Sequence, residues 1–489
     1  MGYLPGLRSL FTPISPFGAL LPTVRWNPGL SWQWRWRNTV YERAGVETIS
    51  VLAYLFGRPS IYTCSIEVAK QVVATKGQFE KPLDTSQIVL LWGPNIFAAN
   101  GEVWRRHRSI MAPSFTANTY SYVWNETLRA FREIDAYEWE GKDEIMLPAV
   151  NDITNKFALV IISRCGFGNP LPWKELTSAS GEMTFAEALM IVSNSSIIRL
   201  VTPRWMYGLP IRRLHEVETA YTTFGRFIKS LIHTRRQELS DGIIKGDETF
   251  QDVFRRMLEA SETEGRLAMT DDELAGNTFL MMFAGHETTA RTLDATIGFL
   301  ALYQDIQEEV YQEIVNAVTV DPELNFTSMS SLVKVQACFL EAARLFPAGF
   351  MMIRDTTEDL VLTTTNKQGE EIPLPLSKGT RLVIDVVGMH YNPRHFPDPE
   401  EFRPHRWYNA KENDMSMFSF GPRACIGRRF ALTEAVCFLA QLLREWKVDV
   451  VLNKGESRAQ WRKRVMTEVT TMSLGVGPVP VKLIRRARE

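Results

Sequence analysis

Phe418-Ser-Phe-Gly421-Pro-Arg423-Ala-Cys425-Ile-Gly427 decides how this chain is read. One cysteine stands in a glycine-bracketed loop, with an arginine two residues before it. An apolar helix-forming stretch, Arg428 to Trp446, follows directly. A thiolate at the tip of such a loop is placed to bind a metal. It stays deprotonated only under positive polarisation, which the free N–H groups of the following helix supply. Gly421 and Gly427 permit a tight backbone path beside a flat cofactor. Phe418 can shield the sulfur, and Arg423 can pair with an acidic group on the cofactor's edge. The plainer alternative is a buried structural cysteine in an ordinary loop.

The loop resembles the haem-binding loop of the cytochrome P-450 superfamily, F-x-x-G-x-R-x-C-x-G. Phe418, Gly421, Arg423, Cys425 and Gly427 match all five fixed positions. The resemblance implies haem b with Cys425 as the axial metal ligand. Thiolate ligation is the mode that pushes electron density toward O–O cleavage. It also implies the single-domain cytochrome P-450 fold, mainly α with small β-sheets, over about residues 45–485.

With 489 residues, 45% of them apolar and 23% charged, the composition is that of an ordinary globular protein. The formal net charge of −1 gives no sign of a nucleic-acid partner. No linker-like segment or internal repeat interrupts the chain, so one continuous domain, 45–489, is expected. Five widely spaced cysteines without a CxxC pair fit a reducing compartment. Cys338 and Cys437 fall on apolar faces of predicted helices. Asn125, Asn194 and Asn325 begin N-x-S/T tripeptides, which a domain facing the cytosol leaves unmodified.

Residues 1–44 form a proline- and tryptophan-rich segment. Leu10 to Val24 is apolar but broken by Pro13, Pro16 and Pro22. Arg25, Trp26, Trp32, Trp34, Arg35, Trp36 and Arg37 follow. Tryptophan with arginine suits a membrane–water interface; packing into the core is the other reading. No run of eighteen apolar residues occurs. The resemblance implies a hinge that follows a membrane anchor, with the catalytic domain on the cytosolic side of the endoplasmic reticulum. The chain as given begins at that hinge.

Two β-like runs, Glu47 to Tyr54 and Ser60 to Cys64, flank the turn Gly57-Arg58-Pro59. Helical patterns dominate from Val68 to Arg344. Strand character returns at Leu360 to Thr364 and Thr380 to Val387, separated by a Gly-, Pro- and Lys-rich stretch, Asn366 to Gly379. A last β-like region spans Val465 to Leu483. This pattern lacks the regular strand–helix alternation of a Rossmann or barrel fold.

Thr270-Asp-Asp-Glu273 predicts a capping box. The apolar stretch from there to about Leu302 predicts a helix of ~45 Å through the core. Its middle reads Ala284-Gly285-His286-Glu287-Thr288-Thr289. A carboxylate and two hydroxyls are costly in a buried helix unless they are used. Gly285 is expected to open a groove, and Thr288 to bond the carbonyl one turn back. The stretch matches the superfamily's A/G-G-x-D/E-T-T/S pattern. That match assigns the groove to dioxygen, and Glu287 and Thr288 to proton delivery. A helix kink with a satisfied polar cluster is the bland alternative.

Glu341-Ala-Ala-Arg344 places opposite charges on one helix face. With Phe402-Arg-Pro-His-Arg406-Trp407, the family pattern makes Glu341, Arg344 and Arg406 a buried ion triad. His405 stands where the family usually has glutamate. Trp104 and Arg108, at i and i+4, resemble the W-x-x-x-R helix whose side chains meet the haem propionates. Arg354 matches another propionate-binding arginine. Arg105, Arg106, Arg428 and Arg429 either share a basic face suited to an acidic redox partner or are ordinary surface charge. Ile198 to Arg213 alternates apolar residues with arginines, as a membrane-dipping loop or one packed on the core would.

The expected activity is therefore that of a haem-thiolate monooxygenase. Its electrons would come from an NADPH-dependent flavoprotein reductase, because the chain has no flavin or nicotinamide motif. Segments 88–97, 185–191, 348–353 and 466–472, with the helix before Ala284, are expected to line a pocket for a lipophilic small molecule. The N-terminal stretch resembles fungal members. A terpenoid or polyketide substrate is expected first, and polycyclic aromatic xenobiotics second. A reductase-independent peroxide isomerase and a non-catalytic haem sensor are the rivals. The Glu287-Thr288 pair argues against both.

Overall fold

The structure, a computed structural model, describes residues 4–74, 77–169, 171–174, 183–241, 252–263, 265–366 and 370–487. The main sheet has the order β1 (Gly6–Phe11), β2 (Thr48–Phe56), β3 (Ser60–Thr63), β9 (Arg381–Asp385), β6 (Met351–Thr356) and β4 (Phe79–Glu80). Strands β2 and β3 form the hairpin that the early alternation predicts, with Ser50 opposite Ile61. Smaller sheets pair β7 (Leu360–Thr365) with β8 (Glu371–Leu376), and β11 (Glu468–Thr470) with β12 (Leu474–Val476). A third sets β13 (Val481–Arg485) between β5 (Glu144–Leu147) and β10 (Trp446–Val450).

Helices build the rest, and six of them position the site. They are α1 (Leu83–Leu90), α2 (Gly101–Met111), α3 (Phe185–Val201), α4 (Asp271–Leu302), α5 (Val333–Leu345) and α6 (Arg428–Glu445). The capping box of α4 forms as expected. Thr270 Oγ1 accepts from Glu273 N at 3.2 Å, and Glu273 Oε2 accepts from Thr270 N at 2.9 Å. The helix runs 32 residues, most of them buried, so it is the axis of the core. Among the described residues no helix is long and apolar enough to cross a membrane.

Three expectations change. The Asn366 to Gly379 stretch contains β8, apart from residues 367–369, which lie outside the described residues. Leu374 and Leu376 point inward, while Pro373 and Pro375 fall on the exposed face, where a two-stranded sheet tolerates them. The strand after Thr380 stops at Asp385, whose carboxylate accepts from Gly388 N at 2.9 Å and starts a short helix, Val386–His390. The mainly helical stretch after Val68 also contains β4 and β5, both short and paired to distant strands.

The N-terminal segment is joined to this frame. Strand β1 lies parallel to β2, with Gly6 opposite Ser50. Trp32 and Trp34 are buried, and Trp34 stacks on Phe346 at 4.3 Å between ring centres. Gln33 Nε2 donates to Asp385 at 2.9 Å. Core packing therefore accounts for these two tryptophans, whereas Trp26 stays exposed.

Candidate active site

The cysteine loop is a tight fold of backbone. Gly421 adopts φ +66, which favours glycine, and opens a single turn through Arg423. Cys425 N donates to Phe418 O at 2.9 Å, and α6 starts at Arg428. The Cys425 side chain faces a cavity of about 790 Å³, which Phe418, Arg423 and Gly427 also line. Burial pushes the thiol up from its ordinary range. A hydrogen bond from Gly427 and the charges of Arg108 and Arg428 pull it down, but less strongly. The Gly427 N–H and these charges favour the thiolate, and a coordinated metal ion would deprotonate the thiol outright.

Three cations meet on the cavity wall without an anion among them: Lys81, Arg354 and Arg423. Burial and the neighbouring arginines drive the Lys81 ammonium well below its usual range. Burial lowers Arg423 to about 10, and burial with Arg423's charge does the same to Arg354. Among the described residues, Arg423 Nη1 is buried with no partner. Such a cluster calls for carboxylates, and haem carries two. Beside Gly427 a side-chain carbon would meet nothing within 4 Å, so the backbone there is open to a flat group. On these observations the residues present fit haem held by Cys425.

The structure does not bring all the expected residues to that cluster. Trp104 and Arg108 of α2 are not on the cavity wall. Trp104 instead carries Arg423 over its ring at 4.6 Å, and Arg108 Nη1 donates to Ala424 O at 3.2 Å. Both brace the loop. Lys81 takes the wall position, and no local motif in the sequence marks it. Its segment is clamped by Asn100, which bonds Lys81 N at 3.0 Å and Lys81 O at 2.8 Å.

On α4, Thr288 Oγ1 donates to Ala284 O at 2.7 Å, as expected, and its side chain lines the cavity. Gly285 lines the cavity beside Ala284, and an added Cβ there would lie 2.6 Å from Ile162 Cδ1 of the same wall. Glu287, 5% exposed, is off the cavity wall. Its Oε1 accepts from Arg291 Nε at 3.0 Å, from Thr471 at 3.3 Å and from Ser473.

Behind the loop, Glu341 and Arg344 of α5 are both 0% exposed and form a two-pronged pair at 2.8 and 2.9 Å. Arg406 Nε stands 3.4 Å from Glu341 Oε1, completing the triad. Trp407 Nε1 also donates to Glu341 at 2.7 Å, a contact that the pattern does not announce. Of the four basic residues considered together, Arg106 is tied to Glu273 at the start of α4. Arg105 pairs with Glu102, while Arg428 pairs with Glu412 and Arg429 lies over Tyr120.

The cavity wall is mostly apolar. Ile88, Val89, Phe97, Leu280, Phe283, Ala348 to Ile353 and Thr470 to Ser473 are on it. Residues 185–191 are not: Phe185 stacks on Phe227 at 3.9 Å, and on α3 it is Ser193, Asn194, Ser196, Ile197, Leu200 and Val201 that line the wall.

A cytochrome P-450 family model matches residues 50–473. Cytochrome P-450 monooxygenase 124 of Postia placenta is 34% identical over 99% of this chain and 94% of its own length. Cytochrome P-450 monooxygenase prx9 of Penicillium rubens is 27% identical over 99% and 88%. A cytochrome P-450 monooxygenase named for the phomenoic acid biosynthesis cluster of Leptosphaeria maculans is 22% identical over 81% and 75%.

Proposed function

The chain belongs to the cytochrome P-450 family, and from that premise we propose that it inserts one oxygen atom from O2 into a lipophilic small molecule. One observation carries the proposal: Cys425, the Lys81–Arg354–Arg423 cluster and an apolar chamber under α4 share a single cavity. Bound haem would supply oxygen activation and hydrogen abstraction. The protein's own part is to hold and to exclude. Cys425 provides the axial sulfur; Lys81, Arg354 and Arg423 anchor the propionates by charge-assisted bonds. Thr288, with its proton turned to Ala284 O, offers its oxygen lone pairs to water at the wall. Glu287 holds Arg291 and the Thr471–Ser473 turn in place, and a proton could pass through that network. The apolar lining keeps bulk water away.

Electrons would come from an NADPH-dependent flavoprotein reductase. Arg428 and Arg429, beside Glu412 and Tyr120, are the candidate docking charges. The substrate would be a terpenoid or polyketide-type secondary metabolite; the relative named for a biosynthesis cluster supports that reading over xenobiotic oxidation. Incubating the haem-loaded protein with such a reductase, NADPH and a library of terpenoids, polyketides and polycyclic aromatics tests it. Oxygenated products carrying label from ¹⁸O2 are expected. Label only from H₂¹⁸O, or no product in any class, would overturn it.

The chain would meet a membrane surface, as at the endoplasmic reticulum, through exposed apolar side chains. Tyr54 (73% exposed), Leu55 and Phe56 end β2, and Phe17 packs edge-on against Phe56 at 5.5 Å. Trp205, 70% exposed, follows α3, whose Leu200 and Val201 line the chamber. These apolar side chains, with Arg204, Arg212 and Arg213 near them in sequence, suit an anionic lipid surface. Trp205→Ser should lower co-flotation with phosphatidylserine-containing vesicles several-fold. Equal flotation of variant and wild type would count against this face.

A further inference from the structure

Most hydroxyls on the chamber wall spend their proton on a neighbour. Thr85 and Ser86 donate to Pro82 O at 3.2 and 3.0 Å, Ser196 donates to Val192 O at 2.7 Å, and Thr292 donates to Thr288 O at 2.9 Å. Two depart from this. Among the described residues, Ser193 Oγ and Thr470 Oγ1 are buried with no partner, although both residues line the chamber. Ser193, 6% exposed, stands on α3, and Thr470 ends β11. A helical serine can turn its proton to the carbonyl four residues back, as Ser196 does; Ser193 does not. The two elements meet. Ser196, one helical turn on from Ser193, donates to Met472 Sδ at 3.2 Å, and Met472 is two residues past Thr470. Met472 otherwise packs against Val89, Ala98 and Leu280, which offer a hydroxyl no side-chain bond. A buried hydroxyl left without a bond costs stability, so two of them on one apolar chamber need an explanation.

We propose that the substrate is a lipophilic molecule that already carries a hydroxyl or carbonyl oxygen, and that Ser193 and Thr470 recognise it. The inference rests on the monooxygenase reading and narrows its substrate class. Each side chain needs only a turn about its Cα–Cβ bond to present its hydroxyl to a guest. A hydroxyl donates to a guest carbonyl, and both donates to and accepts from a guest hydroxyl. The apolar wall holds the rest of the molecule, and the polar pair fixes which way round it lies. An unsubstituted polycyclic aromatic hydrocarbon has nothing to offer this pair and would leave both hydroxyls unpaired. The order of synthesis follows: an oxygenation, or a cyclisation that retains an oxygen, must precede this enzyme's step.

Equilibrium dialysis on the full-length, haem-loaded protein tests this without turnover, using matched probes: farnesol and farnesene, cedrol and cedrane, 1-naphthol and naphthalene. Wild type should bind the oxygenated member of at least one pair about tenfold tighter than the hydrocarbon, the worth of one hydrogen bond. Ser193→Ala and Thr470→Val should each remove most of that preference while leaving hydrocarbon binding unchanged. Neither should lower the melting temperature, because each deletes a hydroxyl with no bond to lose. Equal affinity for both members of every pair, no binding in any pair, or a preference that survives both substitutions would overturn the proposal. If one variant yields no protein, the other decides. The reduced carbon monoxide spectrum of the same wild-type sample reports separately on the monooxygenase reading. A spectrum without the form typical of sulfur ligation sinks that reading, while dialysis still decides whether the chamber recognises an oxygen.

Discussion

Exchange of Cys425 for serine is expected to abolish the reduced carbon monoxide spectrum typical of sulfur ligation and to lower NADPH-driven turnover by roughly a thousandfold or more, about 4 kcal/mol of barrier. The loop geometry makes the effect specific. Cys425 N keeps its bond to Phe418 O whatever the side chain, and Ala424 N still reaches Gly421 O at 3.0 Å. Serine therefore fits the turn, and the Lys81–Arg354–Arg423 cluster can still hold haem by its carboxylates. What is lost is the soft, electron-rich donor on the iron. A serine variant with retained pigment, an altered spectrum and no turnover is the outcome that separates ligation from folding. An unaltered spectrum together with pigment uptake equal to that of wild type would remove the basis for assigning Cys425.

The features that could be read from the sequence are those whose physics is local. The Phe418–Gly427 loop depends on a glycine at positive φ and a helix start, both visible as residue types in order. The Thr270 box and the Glu341–Arg344 pair depend on i, i+3 spacing. Each appears in the structure where the spacing puts it. Lys81 could not be found this way, because its role comes from Arg354 and Arg423, hundreds of residues away. Trp104 and Arg108 share a face as expected, but which face meets the cavity is set by how α2 packs. Residues 185–191 failed as a pocket segment for the same reason: aromatic stacking on Phe227 rotates that turn away.

Glu434 left a fainter signal. Phe430, Glu434, Cys437 and Phe438 recur at the spacing of one helix face, and all four are buried. An acid on an otherwise apolar stripe is a misfit that periodicity alone exposes. What the sequence withholds is the setting: Glu434 lines the same cavity as Thr289, 145 positions earlier on α4. In β8 the misleading signal was proline, which suppresses strand character unless the exposed face of a small sheet is known in advance.

Glu341→Ala should yield little haem-loaded protein, with a stability loss of ~3–5 kcal/mol. The Arg344 guanidinium would remain buried, keeping bonds to the carbonyls of His390 (2.9 Å), Pro399 (2.8 Å) and Glu401 (3.1 Å) but losing its counter-charge. Trp407 Nε1 and Arg403 N would lose their acceptor as well. The damage reaches the cofactor loop by a short route. His390 Nδ1 meets Arg344 O at 3.0 Å, and its Nε2 meets Ser416 Oγ at 2.8 Å. Burial holds that imidazole neutral, near pKa 3, so it passes alignment rather than charge. Ser416 is on the cavity wall, two residues before Phe418, whose carbonyl anchors Cys425. Replacing Glu341 and Arg344 together by methionine should cost less than removing Glu341 alone, because the fully buried Arg344 charge goes too and only the partly exposed Arg406 loses its partner. Chemical denaturation read alongside haem absorbance checks the order. A single variant as stable and as pigmented as wild type would show that the pair does not support the loop.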